Sequence, residues 1–441
     1  MIIWHVRRKV AIVIPYLRHN RFSYNVILAA LEKENIHIPV YLIRSKTYDF
    51  IEEIHGLAKK YDVLVLAISI MTTQIVDMLD EIRKINKMRP NNVISVAGGP
   101  HPSGDPCGTL DLGFDFVFIG EAEMSFSDFI MKLIDNEDVF STKGISYKHN
   151  GEYFMTERPP PIDLNEYPPF PVGMRMFNPI EITRGCPYAC RYCQVTYLHG
   201  ARPRHRDIER ILEYCEVMIK ANKKDLRFIS PNSFGYGSID GRNVNYDALA
   251  ELIDKLYSLV KKEGGRIFFG SFPSEVRPDF VDEDVLRIIK GKVANRRIIV
   301  GAQSGSDEIL KKIHRGHTVE DIINAVEIIQ RYGFRADVDF IFGLPGEKEE
   351  DLVKTERIIQ ELVKMGARIH AHTFIPLPGT PFYKEAPGKI PKRIKKLLYR
   401  LTGKGHLYGY WESQERLARK IVELRERGII KADVRPKLVK Q

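Results

Sequence analysis

Apolar and polar positions along residues 1–140 alternate between two periods. Residues 10–14, 37–43, 63–69, 93–97 and 116–119 are short apolar runs that read as strands. Between them, 24–33, 49–60 and 75–87 carry the spacing of amphipathic helices, and another helix follows Gly120-Glu121-Ala122-Glu123. Strands alternating with helices predict a parallel, Rossmann-like doubly wound α/β domain over 1–140, with the nearly unbroken apolar run 63–69 as its central strand. Gly98-Gly99-Pro100-His101-Pro102 reads as a tight loop. Such sheets bind ligands beyond the carboxyl ends of their strands, so Ser69, Gly98, Gly99, Gly120 and Glu121 fall on the binding edge.

The pattern then breaks. Prolines 159–161, 168, 169 and 171 crowd residues 141–175, which read as an extended linker. Over 176–383 the βα alternation resumes. Strands are expected at 180–183, 226–230, 266–271, 297–302, 336–342 and 368–374, with helices such as 207–220 and 319–332 between them. Six such units predict a partial (β/α)6 barrel of the TIM type rather than a closed eightfold one. The remainder, 384–441, contains no βα unit and reads as a small helical extension, with a helix over 411–427.

Composition bounds the function. The chain has 441 residues, 44% hydrophobic and 28% charged, within the globular range. No apolar run approaches the roughly 18 residues of a membrane span. The basic-then-apolar start, 7–14, leads into Pro15, Arg18 and His19 without a small-residue cleavage site, so a buried strand and a cytoplasmic protein are expected. The net charge of +10 is local: residues 384–441 hold 17 basic and 6 acidic side chains, and the rest of the chain is near neutral. Lys392, Arg393, Lys395, Lys396, Arg400 and Lys404 form the densest run. It reads either as the solvated face of a cap whose Leu397, Leu398 and Leu401 pack inward, or as a guide for an anionic substrate. Nucleic acid is not the favoured partner.

Five cysteines make no disulfide framework. Three of them, Cys186, Cys190 and Cys193, follow the first strand of the second domain as C-x3-C-x2-C. Three thiolates can hold three irons of a 4Fe–4S cluster and leave the fourth open to a ligand. The alternative is a structural zinc site with His199 as fourth ligand. Cys215 sits in a helical apolar pattern and reads as core, and Cys107 has no visible partner.

This cysteine motif at the end of a barrel's first strand resembles the radical S-adenosylmethionine (SAM) superfamily. Other segments agree in order: Arg277-Pro278-Asp279, Gly301-Ala302-Gln303-Ser304-Gly305-Ser306, His314-Arg315-Gly316-His317-Thr318 and Asp339-Phe340-Ile341-Phe342-Gly343. The resemblance implies a cluster on Cys186, Cys190 and Cys193. It implies SAM contacts from Tyr192, Ser230, Asn232, Gln303, Ser304, Ile341 and Gly343. Ser230-Pro231-Asn232 stands where the family has a GGE-type loop. Asp339 stands for the first Gly of G-x-I-x-G, a position read as needing only backbone contacts. Pro378-Gly379-Thr380-Pro381 matches the exit of the sixth strand.

The first domain resembles the cobalamin-binding module that precedes this barrel in one large subgroup. The matching residues are Ser69, Met71, Gly98, Gly99, Pro100, His101, Gly120 and Glu121. The D-x-H-x-x-G motif after the first strand is absent. The resemblance therefore implies cobalamin bound without a histidine ligand, with His101 as a hydrogen-bonding residue. The stretch 403–411 is most similar to an uncharacterised archaeal-type branch.

The resemblance implies an enzyme with a 4Fe–4S cluster, SAM and cobalamin, fed by a low-potential donor such as ferredoxin or flavodoxin. SAM is cleaved reductively to a 5′-deoxyadenosyl radical, which takes hydrogen from an unactivated carbon. A methyl group carried by cobalamin is then transferred to that carbon, and no general base is assigned. The alternatives are oxidative cyclisation or rearrangement. Methylthio transfer is disfavoured, because that group carries three cysteines in its first domain and this one has Cys107 alone. A non-catalytic metal-cluster protein that binds nucleic acid is the alternative of another class.

Overall fold

The computed structural model describes residues 7–44 and 47–439. The termini of the first domain and of the basic extension, 1–6 and 440–441, lie outside these. The chain forms two compact units, one of residues 1–178 with 377–379 and 423–441, the other of 179–376 with 380–422.

The first unit is an α/β sandwich. Its strands are β1 Val10–Pro15, β2 Val40–Ile43, β3 Val63–Ser69, β4 Val93–Gly98, β5 Phe116–Phe118, β6 Ile145–His149 and β7 Glu152–Thr156. The sheet order is β7-β6-β5-β4-β3-β1-β2, with the C-terminal strand Lys437–Val439 beyond β7. Strands β2, β1, β3, β4 and β5 are parallel. β3 lies at the centre and is almost wholly buried, as its apolar run requires. The helices are α1 Arg21–Lys33, α2 Thr47–Ala58, α3 Thr72–Met88, α4 Pro100–Gly104, α5 Pro106–Leu110 and α6 Glu123–Asp135. Ile12, Leu28, Val65, Phe118, Phe126 and Phe129 share one core layer. The strand order reverses direction between β1 and β3, which opens a crevice beyond their carboxyl ends.

Three features differ from the sequence reading. The stretch after Gly99 is a short helix, not a loop, because Pro100 supplies a preset helical φ at the first position. Residues 141–175 are not all linker: β6 and β7 form an antiparallel hairpin that continues the sheet. The C-terminal extension is also not helical throughout, since Lys437–Val439 pairs in parallel with β7.

The second unit is an open barrel. Its strands are β8 Ile180–Glu181, β9 Thr183–Arg184, β10 Arg204–His205, β11 Asp225–Ile229, β12 Arg266–Phe268, β13 Arg297–Gln303, β14 Arg335–Phe342, β15 Arg368–Thr373 and β16 Leu407–Tyr408. β8, β11 and β12 are parallel neighbours, and so are β13 to β16. The two sets join where Val276 pairs with Val300 and Ile299 N–H donates to Gly270 O at 2.9 Å. β16 adds a strand that the sequence did not reveal. The helices are α7 Val195–His199, α8 Ile208–Lys220, α9 Tyr246–Glu263, α10 Glu283–Ile289, α11 Asp307–Lys312, α12 Val319–Arg331, α13 Glu349–Lys364, α14 Lys392–Gly403 and α15 Trp411–Glu426. α14 buries Ile394, Leu397, Leu398 and Leu401 and exposes Lys392, Lys396 and Arg400, with Lys404 exposed just beyond its end. Arg393 and Lys395 pair instead with Glu349 and Glu415. No described helix is long and apolar enough to cross a membrane.

The barrel interior is polar by strand alternation. Along β14, Ala336, Val338, Phe340 and Phe342 are buried beneath helices, while Asp337, Asp339 and Ile341 face the other way. Asp337 takes Arg368 at 2.9 Å, Arg297 at 3.3 Å and the Tyr408 hydroxyl at 3.3 Å.

Candidate active site

The cysteine loop leaves β9 at Gly185, whose φ is +93°. A Cβ there would come within 2.3 Å of Arg202 O, so only glycine fits. Thr196 Oγ1 donates to Cys186 O at 2.7 Å, and Cys193 N–H to Cys190 O at 2.9 Å. The loop lies on the segment His314 to Gly316: Arg191 N–H donates to Ile313 O at 3.0 Å, and the Cys190 thiol to His314 O at 3.5 Å. All three cysteines are free thiols. Burial raises the Cys186 thiol and lifts Cys193 to about 12, so iron must displace their protons on binding.

Two arginines organise the floor beneath the loop. Arg277 stacks on Tyr188, 3.3 Å from the ring centroid, and donates to Arg315 O at 2.7 Å. Arg315 is buried and donates to Gly301 O through Nε (3.2 Å) and Nη2 (2.6 Å). Its Nη1 is 3.9 Å from Cys190 Sγ, and its Nη2 is 3.7 Å from Glu275 Oε1. Gly301 leaves the room: a Cβ there would meet Arg315 Nη2 at 2.5 Å and both Gln303 Nε2 and Glu275 Oε1 at 2.9 Å.

The residues expected to touch SAM are not equivalent. Tyr192 lies within the electrostatic reach of Arg315, Cys190 and Glu275, and burial keeps its hydroxyl protonated. Gln303 lies at a register shift in β13 with φ +75°, strained backbone of the kind that re-aims a side chain at a site. Asn232 accepts Arg277 N–H at 3.2 Å, while its Nδ2 is buried without a partner. Ser230 Oγ donates to Asn232 O at 2.8 Å and shapes that loop. Ser304 Oγ accepts Ser306 N–H at 3.2 Å. Gly343 N–H is held by Glu347 at 2.8 Å, and a Cβ on Gly343 would meet Lys389 N at 2.5 Å. Ser304 and Gly343 are thus engaged by local structure, whereas Ile341 is half-buried on the interior face.

Sequence reasoning singled out neither Glu275 nor a partner for the Asp339 side chain. The Asp339 carboxylate, at a position read as needing only backbone contacts, makes a 2.9 Å contact with His370 Nδ1 and neighbours the Glu275 carboxyl. Burial lifts the Glu275 carboxyl to about 7. The signal was in the alternation: polar residues at every second position of apolar strands face a shared interior.

In the first unit, Ser69, Met71, Gly98, Gly99 and Pro100 meet at the carboxyl ends of β3 and β4. Asn20, which the sequence did not single out, donates through Nδ2 to Ser69 O and accepts Gln74 Nε2 at 2.6 Å. Tyr24 Oη accepts Ser69 N–H at 2.9 Å. Gly99 has φ +101°, and a Cβ there would crowd Ile70 O at 3.1 Å and Ser69 Oγ at 3.2 Å. His101 is buried beneath this edge at 1% exposure, contacts Thr72 Oγ1 at 3.2 Å, and is held neutral by burial, its pKa lowered to about 4. Gly120 N–H donates to Ser103 Oγ at 2.9 Å, and Glu121 accepts Ile162 N–H at 3.0 Å. Cys107 is fully buried and donates to Val434 O at 3.5 Å.

A glycine-lined sheet edge and a three-cysteine loop on an open barrel define a class of protein, and the comparisons agree. Residues 180–359 match the Radical SAM superfamily and residues 8–130 match the B12 binding domain. The chain belongs to the cobalamin-binding radical SAM enzymes, with a 4Fe–4S cluster, SAM and cobalamin as cofactors. It is 26% identical over 349 residues to an uncharacterized methyltransferase of Pyrococcus horikoshii, covering 76% of this chain and 72% of that one. It is 33% identical over 208 residues to a tRNA-2-methylthio-N(6)-dimethylallyladenosine synthase of Fusobacterium nucleatum, covering 47% and 44%. The fold resembles the radical SAM methyltransferase TsrM of Kitasatospora setae, solved with cobalamin and a 4Fe–4S cluster bound. The TM-score is 0.68 at 16% identity, over 86% of this chain and 77% of that one.

Gly99→Val tests the sheet edge. Valine combines a positive φ with contacts near 3.1 Å, a strain of about 1–3 kcal/mol. Cobalamin binding is expected to weaken at least tenfold by equilibrium dialysis, with iron content unchanged.

Proposed function

We propose that this enzyme methylates an unactivated carbon. Cys186, Cys190 and Cys193 hold the cluster. Tyr192, Asn232, Gln303 and Ile341 contact SAM, with Ser230, Ser304 and Gly343 fixing the loops that present them. Ser69, Met71, Gly98, Gly99, Pro100 and Gly120 form the cobalamin edge, and His101 and Glu121 support it from behind. Bound together, these cofactors supply a 5′-deoxyadenosyl radical and a transferable methyl group.

Each assignment rests on donor chemistry. The loop offers three thiols and no fourth cysteine, which leaves one iron open for SAM. The unpartnered Asn232 Nδ2 is a donor, so it suits the carboxylate of SAM rather than its ammonium group. Gly99 leaves backbone accessible where a Cβ would fill the crevice. Arg315 holds the Cys190 side of the loop rigid, with its guanidinium beside Cys190 Sγ and the Glu275 carboxyl.

The observation that favours methyl transfer over methylthio transfer is Cys107. It is fully buried, and no second cysteine in the first unit could join it to hold another cluster. The methyltransferase named in Pyrococcus horikoshii also matches over most of its length. The test is to count both SAM products in the reduced, cobalamin-loaded enzyme. S-adenosylhomocysteine and 5′-deoxyadenosine are expected together. Only 5′-deoxyadenosine, at every cobalamin occupancy, would point to cyclisation or rearrangement.

A further inference from the structure

We propose that Asp339, His370 and His372 form a second metal site, inside the barrel and separate from the cysteines, for one first-row divalent transition-metal ion. In the register of β14 and β15, Asp339 lies opposite His370, and His372 is two residues further on the same face. Their ligand atoms all lie within 4.8 Å of one another. No other group of three His, Cys, Asp or Glu side chains does so among the described residues.

Two of the three separations are those of neighbouring ligands on one ion. His370 Nδ1 is 2.9 Å from Asp339 Oδ1 and 3.1 Å from His372 Nε2. Ligands about 2.1 Å from an ion and at right angles to each other lie about 3.0 Å apart. Hydrogen bonding alone serves the trio poorly. One ring nitrogen, His370 Nδ1, faces both a carboxylate and a second ring nitrogen, and a single N–H cannot serve both well. A cation satisfies all three lone pairs at once.

The surroundings hold the rings in place. Tyr408 stacks flat on His370, with centroids 4.3 Å apart and planes 3° apart. The Gln414 amide nitrogen lies 3.3 Å from His372 Nδ1; a metal on Nε2 puts the ring proton on Nδ1, so ligation requires this amide to turn its oxygen to the ring and release Thr373 N–H. Glu275, a neighbour of Asp339, brings a further carboxylate to the edge of the site. Two imidazoles and a carboxylate select Fe²⁺, Mn²⁺, Co²⁺ or Zn²⁺ over Ca²⁺ and Mg²⁺. Three protein ligands leave positions open for water or an oxyanion group of a substrate.

The probe is Co²⁺, titrated anaerobically into the full chain after its cluster has been reconstituted and free iron removed. One equivalent is expected to bind with visible d–d bands and without the near-ultraviolet charge-transfer bands of thiolate ligation. Asp339→Asn and His372→Ala should each weaken binding at least tenfold, while about four irons and the melting temperature of the wild type show that fold and cluster are intact. Co²⁺ bound with thiolate bands only, or with unchanged affinity in both variants, overturns the proposal. Should either variant fold poorly, X-ray absorption of the Co²⁺-loaded wild type decides: imidazole scattering supports the site, and sulfur-only coordination refutes it.

Discussion

Replacing Cys186, Cys190 and Cys193 together with Ala is expected to leave a folded chain with no iron and no SAM cleavage. The loop does not depend on the thiols for its shape. Its path is set by the positive φ of Gly185, by backbone bonds to Gly200 and Ile313, and by the Thr196 hydroxyl on Cys186 O. Removing a small sulfur, buried at Cys190 and partly buried at Cys186 and Cys193, costs about 1 kcal/mol at each position, well below what unfolds a unit of this size. Iron has no alternative ligands on this loop, and the iron count after anaerobic reconstitution should fall from about four to near zero. 5′-Deoxyadenosine formation should fall below detection, with the circular dichroism spectrum unchanged. Cobalamin binding by the first unit should persist, which separates loss of the cluster from loss of the fold.

The second large effect is expected at Arg315. Its guanidinium is buried, donates twice to Gly301 O, and lies beside Cys190 and Glu275. Arg315→Leu leaves Gly301 O without these donors and removes the cation facing the Glu275 carboxyl. Removing one partner from a buried charged network costs about 3–5 kcal/mol. At about 2–4 °C per kcal/mol for a unit of this size, the melting temperature should drop by roughly 6–20 °C. Iron incorporation and 5′-deoxyadenosine formation should fall more than tenfold even below the new melting temperature, because Cys190 loses the surface that positions it. Arg315→Lys keeps the charge and loses the fork, and should recover stability more than activity. An Arg315→Leu variant that melts and turns over like the wild type would show that the loop is held by its backbone bonds alone.

The fold was legible where a segment's period matched its burial. The run 63–69 could only be a central strand, and Leu397, Leu398 and Leu401 fixed the inward face of α14 before any coordinates. Legibility failed where short-range chemistry competed with pattern. Gly98-Gly99-Pro100 looks like a turn, yet Pro100 starts a helix. The prolines around 159–171 masked the hairpin just before them. β16 and Lys437–Val439 are too short to carry a period and exist because a neighbouring strand offers hydrogen bonds. Of the candidate site, the cysteines and glycines could be named from local spacing. Glu275, Asn20 and the partnership of Asp339 with His370 could not, because each depends on which strands become neighbours. A motif names the residues on its own loop, whereas the groups that orient it come from elsewhere in the chain.

In the proposed reaction the enzyme spends SAM in two ways, once for a radical and once for a methyl group. The most direct measurement supplies SAM with a deuterated methyl group to the reduced enzyme, loaded with cluster and cobalamin, in the presence of its substrate. The expected product is three mass units heavier per transferred trideuteromethyl group, with 5′-deoxyadenosine and S-adenosylhomocysteine formed alongside it. A product that carries no deuterium, formed while 5′-deoxyadenosine accumulates without S-adenosylhomocysteine, would contradict that reaction.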